Sequence, residues 1–153
     1  MAPSPYHPAA FALQALFDLA NETEREVARC LHLNLTDYRA LSALAQSGPV
    51  TVGTLAEKLG ATAATTTAIV GRLEARGYAE RLRSEEDRRH VHVSATPAAT
   101  NNIMGLMRPL MDATNQHIEA LPRARQDAVG DFLNVALNLM QDHLHSLSEK
   151  DTP

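Results

Sequence analysis

A mainly α-helical fold carrying one small β-hairpin is what this sequence predicts, and three observations predict it. Apolar residues make up 44% of the chain and aromatics only 4%, with no Trp, an Ala- and Leu-rich mix that favours helices over a sandwich or barrel. Long stretches repeat their apolar residues at helical spacing. Between about residues 78 and 94 the texture changes, and two short strand-like runs flank a dense charged one.

The elements follow in order. Met1 to Pro8 is Pro-rich and reads as a mobile arm. Ala9 to about Leu33 has no Gly or Pro and repeats apolar residues at Leu13, Leu16, Phe17, Ala20, Val27, Cys30 and Leu31, which predicts one long helix. Thr36 is the expected N-cap of a second helix, with Asp37 in its first turn, where the helix dipole favours an acid. That helix stops before Gly48-Pro49. Thr51 caps a third, Val52 to Leu59, with Gly60 as its C-terminal glycine. Thr62 starts a fourth that runs to about Arg76, buries Ile69, Val70 and Leu73, and ends at Gly77. Two helices joined by a short Gly-containing turn have helix-turn-helix geometry.

Tyr78 to Leu82 and Val91 to Ser94 are the two strands, and Ser84 to Arg89 is the charged tip between them, so the pair forms a wing. Thr96 caps a fifth helix with Pro97 at its first position, running to about Ala120, and Pro122 opens the last. Residues 9–33 and 97–147 are amphipathic with no obvious partner inside so short a chain, and such helices usually bury their stripe against a second copy. The expected organisation is an arm (1–8), a winged helix-turn-helix domain (34–96), dimerisation helices from both termini (9–33 and 97–147), and a tail (148–153).

At 153 residues the chain fits one compact domain or a small domain with helical extensions. It has no run of the roughly 18 apolar residues a membrane span requires. Its start lacks the positive charge of a secretory signal, so the expected location is cytoplasmic with no membrane partner. The net charge is −4, yet it is uneven. Residues 51–96 hold seven Lys/Arg against six acids, while residues 97–153 hold four against seven. The middle segment is the least acidic.

This ordered set of elements resembles the MarR (multiple antibiotic resistance regulator) family. The residues that carry the resemblance are Leu35-Thr36 through Leu44, Gly48-Pro49, Thr51-Val52, Leu55-Ala56-Glu57, Leu59-Gly60, Leu73-Glu74 with Arg76-Gly77-Tyr78, Arg81, and Asp87-Arg88-Arg89 with Val91, Val93 and Thr96. The resemblance covers roughly residues 35–100. The chain departs from the pattern at Ala95 for the usual Leu, at Ala99 for a frequent Gly, and at Ala68, where many relatives carry Arg. The last removes a phosphate or guanine contact.

The resemblance implies a homodimeric DNA-binding transcription regulator, usually a repressor of a pseudo-palindromic double-stranded operator. In the fourth helix Thr62, Ala63, Ala64, Thr65, Thr66, Thr67 and Arg72 would face DNA, small residues allowing close approach and hydroxyls meeting phosphates or base edges. In the wing, Arg89 would enter the minor groove with Asp87 orienting it, while Arg83, Arg88 and His90 would add phosphate contacts. Family members commonly release DNA on binding a small aromatic or phenolic compound, and Met104, Met107, Met111 and Met140 are spaced to line an apolar site or simply to pack.

Other constellations are weaker. Cys30 sits on the apolar stripe and reads first as a small buried hydrophobe, with a peroxide-sensing thiol near Tyr38 as the alternative. The seven His residues show neither paired i, i+4 spacing nor a Cys/His cluster, so no metal or other cofactor is expected, although a redox- or metal-sensing regulator of the same fold is the rival reading. A helical interaction module without DNA binding is a further rival. No nucleophile elbow, phosphate loop or dinucleotide fingerprint is present, so the chain is not expected to be an enzyme.

Overall fold

The computed structural model describes residues 5–83 and 91–150. In order along the chain it contains α1 (Pro8–Cys30), α2 (Leu35–Ser47), β1 (Val50–Thr51), α3 (Val52–Leu59), α4 (Ala63–Ala75), β2 (Ala79–Arg83), β3 (Val91–Ala95), α5 (Pro97–Glu119) and α6 (Arg123–Lys150). It is mainly α with a small antiparallel sheet, as the sequence predicts.

Capping explains most of the boundaries. His7 accepts from the Ala9 amide at 3.1 Å, and Pro8 occupies the first turn of α1, where a missing N–H costs nothing. Thr51 and Thr62 each accept from the amide three residues on, at 3.1 and 3.2 Å, and so start α3 and α4. Thr96 accepts from the Ala99 amide at 3.3 Å and donates to the Gly77 carbonyl at 2.8 Å, tying the start of α5 to the end of α4.

Two boundaries differ from expectation. The N-cap of α2 is Asn34, not Thr36: its amide oxygen accepts from the Asp37 backbone at 2.8 Å, and Asn is the stronger cap of the two. Helix α1 ends at Cys30 rather than near Leu33. His32 turns into the left-handed region (φ 56), the Leu33 amide bonds the Ala28 carbonyl and the His32 amide bonds that of Arg29. This is the C-terminal motif usually built on glycine, and His is among the non-glycine residues that tolerate it. The same pair of bonds closes α3 at Gly60 and α4 at Gly77.

The sheet has the order β1-β3-β2, both pairings antiparallel, with Val93 opposite Val50 on one side and Arg81 on the other. Strand β1 was not expected. Two residues are too few to show alternation, and their pairing partner lies far along the chain. Alternation on β3 sends Val93 and Ala95 inward.

The structure divides into two compact units, Met1–Leu106 and Met107–Pro153. In the first, α2, α3 and α4 pack on one another, and α2 and α3 also meet β3. Leu41, Leu44, Leu55, Ile69, Val70, Leu73 and Val93 are fully buried there, each contributing about 1.5–3 kcal/mol of transfer free energy. In the second, α6 is preceded by a turn in which Gln126 donates to the Leu121 carbonyl at 2.8 Å. Apolar side chains Leu110, Met111, Phe132, Leu133, Leu137, Met140 and Leu144 are exposed in this unit. Helix α5 carries Pro109 in its interior, which removes one ladder donor. Among the described residues no helix is long and apolar enough to cross a membrane.

Candidate nucleic-acid interface

Helix α4 is the element to which the sequence assigns a reading role. Its inward face is Thr66, Ile69, Val70 and Leu73, spaced three and four apart, so it is anchored along its length on α2 and α3. The outward face is what remains: Ala63, Ala64, Thr65, Thr67 and Ala68 are exposed, as is the cap Thr62. Thr62 Oγ1 donates to Thr65 Oγ1 at 2.9 Å while accepting from the Thr65 amide. Thr65 thus presents a hydroxyl whose own proton points to no described partner. Thr67 donates to the Ala63 carbonyl at 2.9 Å and offers an oxygen acceptor and a methyl outward.

Two expectations for α4 need correction. Thr66 has no accessible surface, and its hydroxyl donates to the Thr62 carbonyl at 2.9 Å, so it belongs to the core and not to a DNA-facing surface. Its position one helical turn before Ile69 and Val70 puts it on the buried stripe. Arg72 is not a free cation. Its Nε donates to Asp37 Oδ2 at 2.9 Å and its Nη2 to Oδ1 at 2.6 Å, a bidentate pair between α4 and the first turn of α2. These hydrogen bonds raise the Arg72 pKa above its ordinary value.

Further polar ties set the end of α4. The Arg76 guanidinium donates to the His32 carbonyl, and Tyr78 donates to the Leu31 carbonyl at 3.2 Å, so both reach the carbonyls where α1 turns. Arg81 on β2 pairs with Glu74 of α4 at 3.0 Å. In the sequence these residues belong to a family motif; in the structure they join α4 to its neighbours. The signal was the clustering of Arg and Glu around Gly77, but their partners at residues 31 and 32 are distant in sequence.

The two strands of the wing pair from Ala79 with Ala95 to Arg83 with Val91. Arg83 is exposed where β2 ends. Asp87, Arg88, Arg89 and His90 lie outside the described residues.

Cys30 is exposed, not the buried small hydrophobe that its place on the apolar stripe of α1 predicts. Tyr38, by contrast, is buried, and burial raises its hydroxyl pKa above the ordinary value. Among the described residues no group of His, Cys, Asp and Glu is arranged to hold a metal ion.

Comparison with known proteins decides the family. A model of the MarR family matches residues 33–91, the segment from the α1–α2 corner to the start of β3. The uncharacterized HTH-type transcriptional regulator YcgE of Bacillus subtilis (strain 168) is 31% identical over 122 residues, covering 80% of this chain and 79% of that protein. The chain belongs to the MarR family. A second uncharacterized HTH-type regulator of the same organism, YfiV, is 30% identical over 73% of this chain and 70% of its own length. Streptococcus pneumoniae FabT, solved in complex with DNA, shares the fold with a TM-score of 0.65 at 22% identity, covering 88% of this chain and 96% of that one. This MarR-family member is a winged-helix, DNA-binding transcription regulator and not an enzyme.

Proposed function

We propose that this regulator acts in the cytoplasm as a homodimeric repressor of a pseudo-palindromic operator, released by a small aromatic or phenolic effector. The observation that carries the DNA-binding part is the two-sided character of α4. One side is locked into the core through Thr66, Ile69, Val70 and Leu73, and the other leaves Thr62, Ala63, Ala64, Thr65 and Thr67 exposed. Such small side chains let a helix approach base edges and phosphates in the major groove. FabT, which shares this fold, was solved with DNA. Arg83, Arg88, Arg89 and His90, with Asp87 orienting Arg89, form the wing's contribution, Arg89 entering the minor groove.

The exposed apolar stripes support two-fold assembly, since a monomer rarely leaves so many large side chains in water. For the effector, an open hollow of about 380 Å³ lined by Leu121, Arg125, Ala128, Val129, Phe132 and Leu133 offers apolar walls and one guanidinium. That combination suits an aromatic ring bearing an acidic group.

The test is a gel shift at fixed salt followed by footprinting of the shifted complex. The unaltered protein is expected to protect two half-sites about 34 Å apart. Arg89→Ala is expected to lose specific operator binding while remaining folded and dimeric. Operator affinity unchanged in Arg89→Ala refutes the wing assignment, and protection of a single half-site refutes the two-fold arrangement.

A further inference from the structure

We propose that Asp37 withholds Arg72 from the DNA backbone, keeping the reading helix electrically quiet along the flank it shares with Thr65. The inference rests on the reading of α4 as the DNA-facing helix and adds a residue of α2 to what controls its binding.

Arg72 lies seven residues after Thr65 on α4, two helical turns on and on the same flank. Its side chain is 52% exposed, so by position alone it would be the cation of this helix most available to a phosphate. Asp37, in contrast, is 5% exposed, and both of its oxygens are taken by the guanidinium, at 2.6 and 2.9 Å. The Asn34 cap holds the Asp37 backbone at 2.8 Å, so the carboxylate is presented from a fixed helix start rather than a loose chain.

A phosphate competing for Arg72 therefore has to break two charge-assisted bonds in bidentate geometry, the strong class of hydrogen bond. It would also leave a buried carboxylate unpaired, a larger loss than a single exposed ion pair returns. The pair carries no net charge, so it releases no counterion when DNA binds. With Ala68 on the same helix, this arrangement leaves α4 with no unpaired cation among its described residues. Binding that leans less on backbone charge leans more on shape and base edges, because the sequence-independent share of affinity is the part supplied by phosphates.

The experiment measures affinity for a mixed-sequence duplex by fluorescence anisotropy between about 50 and 200 mM salt, for the unaltered protein, Asp37→Asn and the double variant Asp37→Asn/Arg72→Gln. Asp37→Asn frees the Arg72 charge and is expected to bind several-fold more tightly at the low end. Its log-log salt slope is expected to steepen by about 0.9, the increment of one phosphate. The double variant keeps the net charge of the unaltered protein and is expected to keep its slope. A double variant shallower by about 0.9 means that Arg72 already contacts a phosphate and overturns the proposal. So does an Asp37→Asn slope equal to that of the unaltered protein. Thermal melts accompany each titration, and should Asp37→Asn fail to fold, the neutral double variant alone decides. Unaltered protein that binds no duplex at any salt refutes the functional reading itself, a result separate from either slope outcome.

Discussion

Thr65 and Thr66 are adjacent, chemically identical and opposite in role. The first is exposed at the start of α4, and the second has no accessible surface and bonds the Thr62 carbonyl. That carbonyl also receives the Thr66 amide at 2.9 Å, so losing the hydroxyl leaves it satisfied. Thr66→Val is therefore expected to shift the melting temperature little and to leave operator affinity unchanged. Thr65→Val removes an outward hydroxyl of the same size and is expected to weaken operator binding without unfolding the protein. Titration of both variants against one operator fragment checks this, and equal losses would show that Thr65 adds no contact of its own. A Thr run does not say which of its members turns inward. That depends on the phase of the helix, which Ile69, Val70 and Leu73 set. Arg72 shows the same limit, since its expected freedom vanished only when α2 brought Asp37 beside it.

At the scale of elements, three helices end on the same hydrogen-bond pattern, at His32, Gly60 and Gly77. An added Cβ at Gly60 meets nothing within 4 Å, so only its φ of +60 resists substitution. Gly60→Ala is expected to cost about 1–2 kcal/mol, the penalty for an L-residue in the left-handed region. His32→Gly removes that penalty and adds unfolded-state entropy, for a net gain of about 0.5–1 kcal/mol. Denaturant melts measure both, and a stabilising Gly60→Ala would contradict the pattern. Gly60 and Gly77 were legible as helix ends because glycine is the usual residue there. The end of α1 was not legible, since His32 gives no such signal and Leu31 and Leu33 keep the apolar period running past the true end. Strand β1 was missed for a related reason, as a two-residue strand exists only through its pairing with β3.

At the scale of the molecule, the apolar stripes on the outer helices lie exposed. On α6, Leu133, Leu137, Met140 and Leu144 recur at helical spacing and are 44%, 57%, 39% and 61% exposed. If a second copy covers them, Leu133→Glu/Leu137→Glu places two charges in that interface. Sedimentation at micromolar concentration is then expected to show a monomer, with operator affinity lost because two half-sites are no longer held together. A variant that stays dimeric would remove α6 from the interface. The apolar stripe of α6 was readable from its amphipathic pattern. The division of the structure inside α5, after Leu106, was not, because the helical period continues without interruption across it.

Local chemistry belongs to the sequence. Caps at Thr51, Thr62 and Thr96, turn glycines, helical and alternating periods and the ordered family motif together determined a mainly α chain with a winged helix-turn-helix, because each depends on residues within a few positions of one another. Tertiary structure decided which polar groups are free. Thr66 became core, Arg72 became half of an ion pair with Asp37, and Arg76 and Tyr78 became ties to the α1–α2 corner, since their partners are brought close only by packing between distant segments.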